Sequence, residues 1–82
     1  MEPIEAQVRE IVSGQIGHVT EAQMTGEAEL VRDLGADSLD VEMIRGDVEE
    51  RFDIDVSDEA LEKVKTLGDV VNLVRELTAV KQ

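Results

Sequence analysis

Residues 33–52 read Asp33-Leu34-Gly35-Ala36-Asp37-Ser38-Leu39-Asp40 and then Val41-Glu42-Met43-Ile44-Arg45-Gly46-Asp47-Val48-Glu49-Glu50-Arg51-Phe52. Within this stretch Val41, Ile44, Val48 and Phe52 fall inside about 80° of arc at about 100° per residue, so four apolar side chains share one face of a predicted helix over Ser38–Phe52. Gly35 permits a turn just before it, and Asp37 is placed to cap it by accepting an orphan backbone N–H. Ser38, at the first helical position, then turns its hydroxyl to solvent. A phosphate ester on that hydroxyl would meet the exposed N–H groups and the positive end of the helix dipole. The plainer reading is a serine that serves only the cap. Leu39, Met43, Gly46 and Glu50 lie opposite the inward stripe, which puts two large apolar side chains in water beside Ser38 as a small docking spot.

Upstream, Ile4, Val8, Ile11, Val12 and Ile16 share a face, Pro3 suits a first turn and Gly14 or Gly17 supplies a stop, which predicts a helix over about residues 3–16. A long loop then runs from Gly17 to Asp37. It holds one short turn capped by Thr20 with Gln23, and Met24, Leu30, Val31 and Leu34 tack it to the core. Downstream, Asp53–Val56 alternates like a strand without a partner and reads as an extended connection. Ser57 caps a short helix carrying Ala60, Leu61 and Val64. Thr66 caps a last one with Leu67, Val70, Val71, Val74 and Leu77 in a single stripe, and Thr78–Gln82 reads as a frayed tail. The expected fold is all-α, a small bundle of three main helices and one short helix with a long loop between the first two.

A chain of 82 residues suits one domain, 1–82, because two halves would each bury too little apolar surface. Phe52 is the single aromatic residue, so it reads as a core anchor in an otherwise aliphatic interior able to make room for a flexible guest. There is no cysteine and one histidine, His18. That removes disulfides and thiolate ligands, leaves no metal site, and puts His18 in a polar loop opening as a surface residue. Met1, Glu2 and Pro3 carry no basic leader and no apolar run is long enough for a signal peptide or membrane span, so a cytoplasmic location is expected.

Twenty acidic residues against eight basic ones give a net charge of -12, which disfavours nucleic acid and membrane surfaces and favours basic protein partners. Twelve of the acids lie between Asp33 and Glu62, against Arg45 and Arg51 alone. That segment is where a basic partner would dock, and weak divalent cation binding there would chiefly relieve repulsion. Acidity that serves only solubility is the alternative.

Two other chemistries fail on spacing. A serine hydrolase needs a nucleophile elbow and a positioned base, but the sequence around Ser38 lacks the second glycine and His18 is the only imidazole. Asp53, Asp55 and Ser57 open like a calcium loop, yet Asp58 stands where glycine is required and Val64 where glutamate is.

The octapeptide Asp33–Asp40 resembles the D-L-G-A-D-S-L-D signature of the acyl carrier protein family. Spacing to Glu49, Glu50, Phe52 and the short helix agrees, as do the first and last helices, so the resemblance covers nearly the whole chain. It implies that a phosphopantetheinyl transferase moves 4'-phosphopantetheine from coenzyme A, with magnesium, onto Ser38, which Asp37 and Leu39 flank. It further implies a non-catalytic monomer that presents thioester-bound acyl groups to loading and processing enzymes of fatty acid or related acyl or polyketide synthesis. Asp40, Glu42, Met43, Gly46, Asp47, Glu49 and Glu50 are the candidate docking residues. Many such carriers continue T-V-E-L-V after the signature, whereas Val41-Glu42-Met43-Ile44-Arg45 exchanges acidic and apolar positions. Gly46 costs roughly 1 kcal/mol in a helix interior relative to alanine, and Asp47 and Arg45 stand where apolar or small residues are usual. These departures point to a specialised carrier. An aminoacyl or peptidyl carrier, or an acidic helical binding module that never receives an arm, are the competing expectations.

Overall fold

The computed structural model describes residues 3–81, with side chains through Ala79. Four α-helices follow in order: α1 (Ile4–Ile16), α2 (Ser38–Phe52), α3 (Asp58–Glu62) and α4 (Leu67–Lys81), with one 3₁₀ turn at Glu21–Gln23. The all-α bundle with a long first loop is as the periodicity predicts. Pro3 is the N-cap of α1 rather than a residue of its first turn. Gly17 closes that helix at φ 83°, a left-handed value that a Cβ would strain, while Gly14 stays helical.

The apolar stripes meet in one aliphatic core. Val8, Ile11, Val12 and Ile16 of α1, Ile44 and Val48 of α2, and Leu67, Val70, Val71 and Val74 of α4 are all buried, and no polar side chain among the described residues is buried with them. Val41 and Phe52 pack against this core half-buried. The lone aromatic ring therefore closes the edge of the interior and leaves its centre to Val, Ile and Leu.

Met24, Leu30 and Leu34 tack the long loop to the core as expected, and Ala28 and Ala36 join them. Val31 does not: it is 61% exposed. The loop turns tightly around Leu30, with Leu34 N–H donating back to Glu29 O at 3.1 Å and Ala36 N–H to Leu30 O at 2.9 Å, so neighbouring apolar residues cannot all face inward. The backbone secures this loop as much as its side chains do. Leu30 N–H donates to Lys65 O at 2.8 Å, Leu67 N–H to Ala28 O at 2.9 Å and Gly68 N–H to Gly26 O at 2.9 Å, around an isolated antiparallel bridge between Glu29 and Thr66.

α3 spans five residues and ends before Val64, which packs half-buried beyond it, so the predicted reach of this helix was too long. The expected frayed tail is also corrected. α4 continues through Lys81, and Thr78 Oγ1 donates to Val74 O at 2.8 Å inside it; Gln82 lies outside the described residues. At the other end of α4, Thr66 Oγ1 accepts Asp69 N–H at 3.0 Å while Asp69 Oδ2 accepts the N–H groups of Thr66 and Lys65, each at 3.0 Å.

Those backbone donors, Lys65 first and then Thr66, hold the Asp69 carboxyl below its ordinary value of 3.8 against the opposing effect of burial. A depressed folded-state pKa means that this cap stabilises the fold above the ordinary value and is lost as pH falls through the folded one. Asp69→Ala is therefore expected to cost about 1 kcal/mol at neutral pH, or roughly 4–8 °C in Tm for a chain of this size. The gap between variant and native melting curves should narrow as pH drops below 3.8.

Candidate functional site

The turn that delivers Ser38 is built by alternation. Leu34 and Ala36 are buried at 2% and 3% exposure, and between them Gly35 adopts φ 79°, with His18 Nε2 3.5 Å from the place a Cβ would occupy. This pins the chain on both sides of Gly35 and turns Asp37, Ser38 and Leu39 outward, all three exposed.

Asp37 is the N-cap of α2, and the cap is reciprocal. Its Oδ1 accepts Asp40 N–H at 2.9 Å, and Asp40 Oδ2 accepts Asp37 N–H at 3.1 Å. Gln15 Nε2 at the end of α1 donates to Asp40 Oδ1 at 3.4 Å, so the start of α2 is also tied to its neighbour. Ser38 thus stands at the first position of a well-fixed helix, with a free hydroxyl beside the N–H groups of the first turn. The arrangement offers an attachment point for an anionic group. Among the described residues no side-chain base is hydrogen-bonded to the Ser38 hydroxyl.

The predicted docking residues fall into two sets. Glu42, Met43, Gly46, Asp47 and Glu50 are exposed, with Leu39 at 67% and Met43 at 48%. Asp47 and Glu50 line an open groove of about 380 Å³ between α1 and α2, together with Glu10, Gly14 and Arg51. The carboxylates of Asp40 and Glu49, in contrast, have internal partners: the cap just described, and Val56 N–H, which Glu49 Oε2 accepts at 2.8 Å.

Arg45 is the residue whose part the sequence did not disclose. Its Nη1 donates to Asp58 Oδ1 at 2.8 Å and its Nη2 to Val56 O at 2.6 Å, while Glu42 and Glu49 lie 3.4 and 4.0 Å away. The bond to Asp58 above all, against some desolvation, raises its pKa further above the usual guanidinium value. Glu42 and Glu49, three and four residues from it on the same helix, are the local signal that could have marked it. The partners across the turn, Val56 and Asp58, depend on how the chain folds back.

Comparisons with known proteins agree with this geometry. Residues 6–74 match the family described as phosphopantetheine attachment site. An acyl carrier protein of Thermotoga maritima is 44% identical over 75 residues, covering 92% of this chain and 91% of that one. Among solved structures, a protein provisionally assigned as an acyl carrier protein from Mycobacterium tuberculosis superposes with a TM-score of 0.78 at 29% identity, over 96% of this chain and 99% of that one. The acetyl actinorhodin acyl carrier protein of Streptomyces coelicolor shares the fold, with a TM-score of 0.74 at 18% identity, over 100% of this chain and 95% of that one. The chain belongs to the acyl carrier protein family and contains its phosphopantetheine attachment domain. It is a non-catalytic carrier, and no described helix is long and apolar enough to cross a membrane.

Proposed function

We propose that Ser38 carries the 4'-phosphopantetheine arm and that the chain presents acyl thioesters from it, as a cytoplasmic monomer in a dedicated acyl or polyketide pathway. The observation that carries this reading is the exposed hydroxyl of Ser38 at the first position of α2, fixed by the Asp37–Asp40 cap inside the attachment domain. A phosphodiester there lies at the positive end of a fifteen-residue helix, where backbone N–H groups favour an anion. The protein supplies position and reach, and the enzymes that visit the arm supply the chemistry.

Partner recognition is assigned to the exposed strip of Leu39, Met43 and Gly46, bordered by Glu42, Asp47 and Glu50. Apolar contact would be made at its centre and basic side chains would meet its rim. Asp40 and Glu49 act in this scheme by holding the strip's frame. Support for a dedicated pathway comes from Met43 and Gly46, which make this face more apolar and flatter than the acidic pattern usual in carriers of general fatty acid synthesis.

Incubation with coenzyme A and a broad-specificity phosphopantetheinyl transferase is expected to add one arm per chain by intact mass, and none to Ser38→Ala. Modification elsewhere, or none with several transferases, would instead support an unmodified binding module. Loading of the arm by aminoacyl-activating enzymes alone would favour the aminoacyl or peptidyl carrier. Elongation by general fatty acid synthesis enzymes as fast as on their own carrier would remove the dedicated pathway.

A further inference from the structure

The backbone of Val56 is held through both its C=O and its N–H by two residues one turn apart on α2. Arg45 Nη2 donates to its carbonyl at 2.6 Å, and Glu49 Oε2 accepts its N–H at 2.8 Å. The same guanidinium reaches the first turn of α3 through Asp58 at 2.8 Å. α3 has little else to hold it. Five residues are too few for a helix to be stable alone, and none of its side chains is fully buried, with Ala60 and Leu61 only half so. Behind this grip Ile44 and Val48 of α2 and Ile54 and Val56 of the segment leading into α3 are all buried in the same aliphatic core.

We propose that Arg45 and Glu49 form a latch that keeps α3 closed on α2, so that acyl tails remain outside the aliphatic core and the carrier is suited to short or polar acyl groups. This rests on Ser38 bearing the arm. An apolar tail can enter between α2 and α3 only if Val56 and Asp58 move away from Arg45, which breaks charge-assisted bonds, the stronger kind of hydrogen bond. Each methylene that gains shelter favours the open form by about fourfold. A long tail thus pulls on the latch and an acetyl group does not, and the latch decides how long a tail must be before it goes in.

The test loads acetyl and octanoyl arms onto the native protein and onto Arg45→Met, which keeps the apolar stem and removes the donors, with loading checked by intact mass. Cleavage of the thioester by hydroxylamine reads shelter of the tail. The native protein should lose both groups at one rate. In Arg45→Met the octanoyl ester should be cleaved at least about fourfold more slowly with the acetyl rate unchanged, Arg45→Lys should fall between, and Asp58→Asn should move the same way without risk to the core. Octanoyl already protected in the native protein, or equal slowing of both esters in the variant, would overturn the latch. Amide exchange on the unmodified chain tests the closure by itself. Arg45→Met must speed exchange over residues 58–64 while the buried positions of α1 keep their rates, and unchanged exchange there rejects the latch whether or not Ser38 takes an arm.

Discussion

Ile44→Glu is expected to remove most of the stability of the fold, while Met43→Glu, one residue away, melts within a few degrees of the native protein. Ile44 is 3% exposed in the aliphatic core and Met43 is 48% exposed on the far side of the same helix. The glutamate at position 44 loses the transfer energy of an isoleucine and puts a carboxyl where no donor awaits it. Together these cost on the order of 4 kcal/mol or more. Total stability for a domain of this size is about 5–10 kcal/mol, so most of it goes. At position 43 the side chain stays in water and the change is within about 0.5 kcal/mol, yet it deletes the largest apolar group at the centre of the proposed docking strip. Transfer to the cognate enzyme should therefore fall in Met43→Glu with the fold intact. Circular dichroism melts of the two variants decide the helix phase, and acyl transfer by Met43→Glu decides whether the strip is used.

What the sequence disclosed, and what it did not, divides along the range of the interactions. α1 and α4 are amphipathic over three turns or more, α2 carries a buried stripe through Ile44 and Val48, and the caps of α2 and α4 use residues three apart, Asp37 with Asp40 and Thr66 with Asp69. Position and phase were therefore legible from local spacing. The turn at Gly35 and the Asp37 cap were legible for the same reason, and they place Ser38. The long loop was not. Val31 reads as apolar and therefore inward, but a turn closed by Glu29 and Leu30 carbonyls leaves it in water. The backbone pairing of residues 26–30 with 65–68 spans more than thirty residues and has no side-chain signature. Arg45 shows the same limit: Glu42 and Glu49 lie three and four residues from it on α2, whereas the Val56 carbonyl and Asp58 come to it only beyond the left-handed residue Asp53, φ 54°, that ends the helix.

The charge distribution has a related division. Of the acids that crowd the middle of the chain, Asp37 and Asp40 cap α2, Glu49 and Asp58 hold the connection to α3, and Asp33 Oδ2 accepts Glu29 N–H at 2.8 Å in the loop. These five are committed to local structure. The remainder on the exposed face of α2 are Asp47, Glu50 and Glu42, the last with its Oε1 3.4 Å from Arg45 Nη1, and these are the acids that the proposed docking would offer a basic partner. Neutralising that trio is expected to slow association with the partner and flatten its salt dependence more than it changes the fold.

One substitution made at two glycines should have opposite signs. At Gly46 an added Cβ meets nothing within 4 Å, and the residue lies inside α2 with ordinary helical backbone. Gly46→Ala then gains helix propensity and restricts the unfolded chain, raising stability by up to about 1 kcal/mol. At Gly68 the same methyl would stand 2.8 Å from the backbone carbonyl oxygen of Gly26, the atom that accepts Gly68 N–H at 2.9 Å. That oxygen belongs to the main chain of the loop paired with the start of α4, so it cannot swing aside as a side chain would. Relief requires the pairing between residues 26–30 and 65–68 to open, and Gly68→Ala should cost about 1–3 kcal/mol despite alanine's better helix propensity. Gly68→Val adds a branched side chain at the same point and should lie at the upper end of that range or beyond it. Thermal melts of the alanine pair check the signs. Amide exchange then locates the damage: Leu30 and Leu67, whose N–H groups cross the pairing, should exchange faster in Gly68→Ala, whereas the N–H groups inside α2 should not. A Gly68→Ala protein as stable as the native one would mean that the loop gives way at Gly26 without cost, and that the backbone pairing contributes little to holding it against α4.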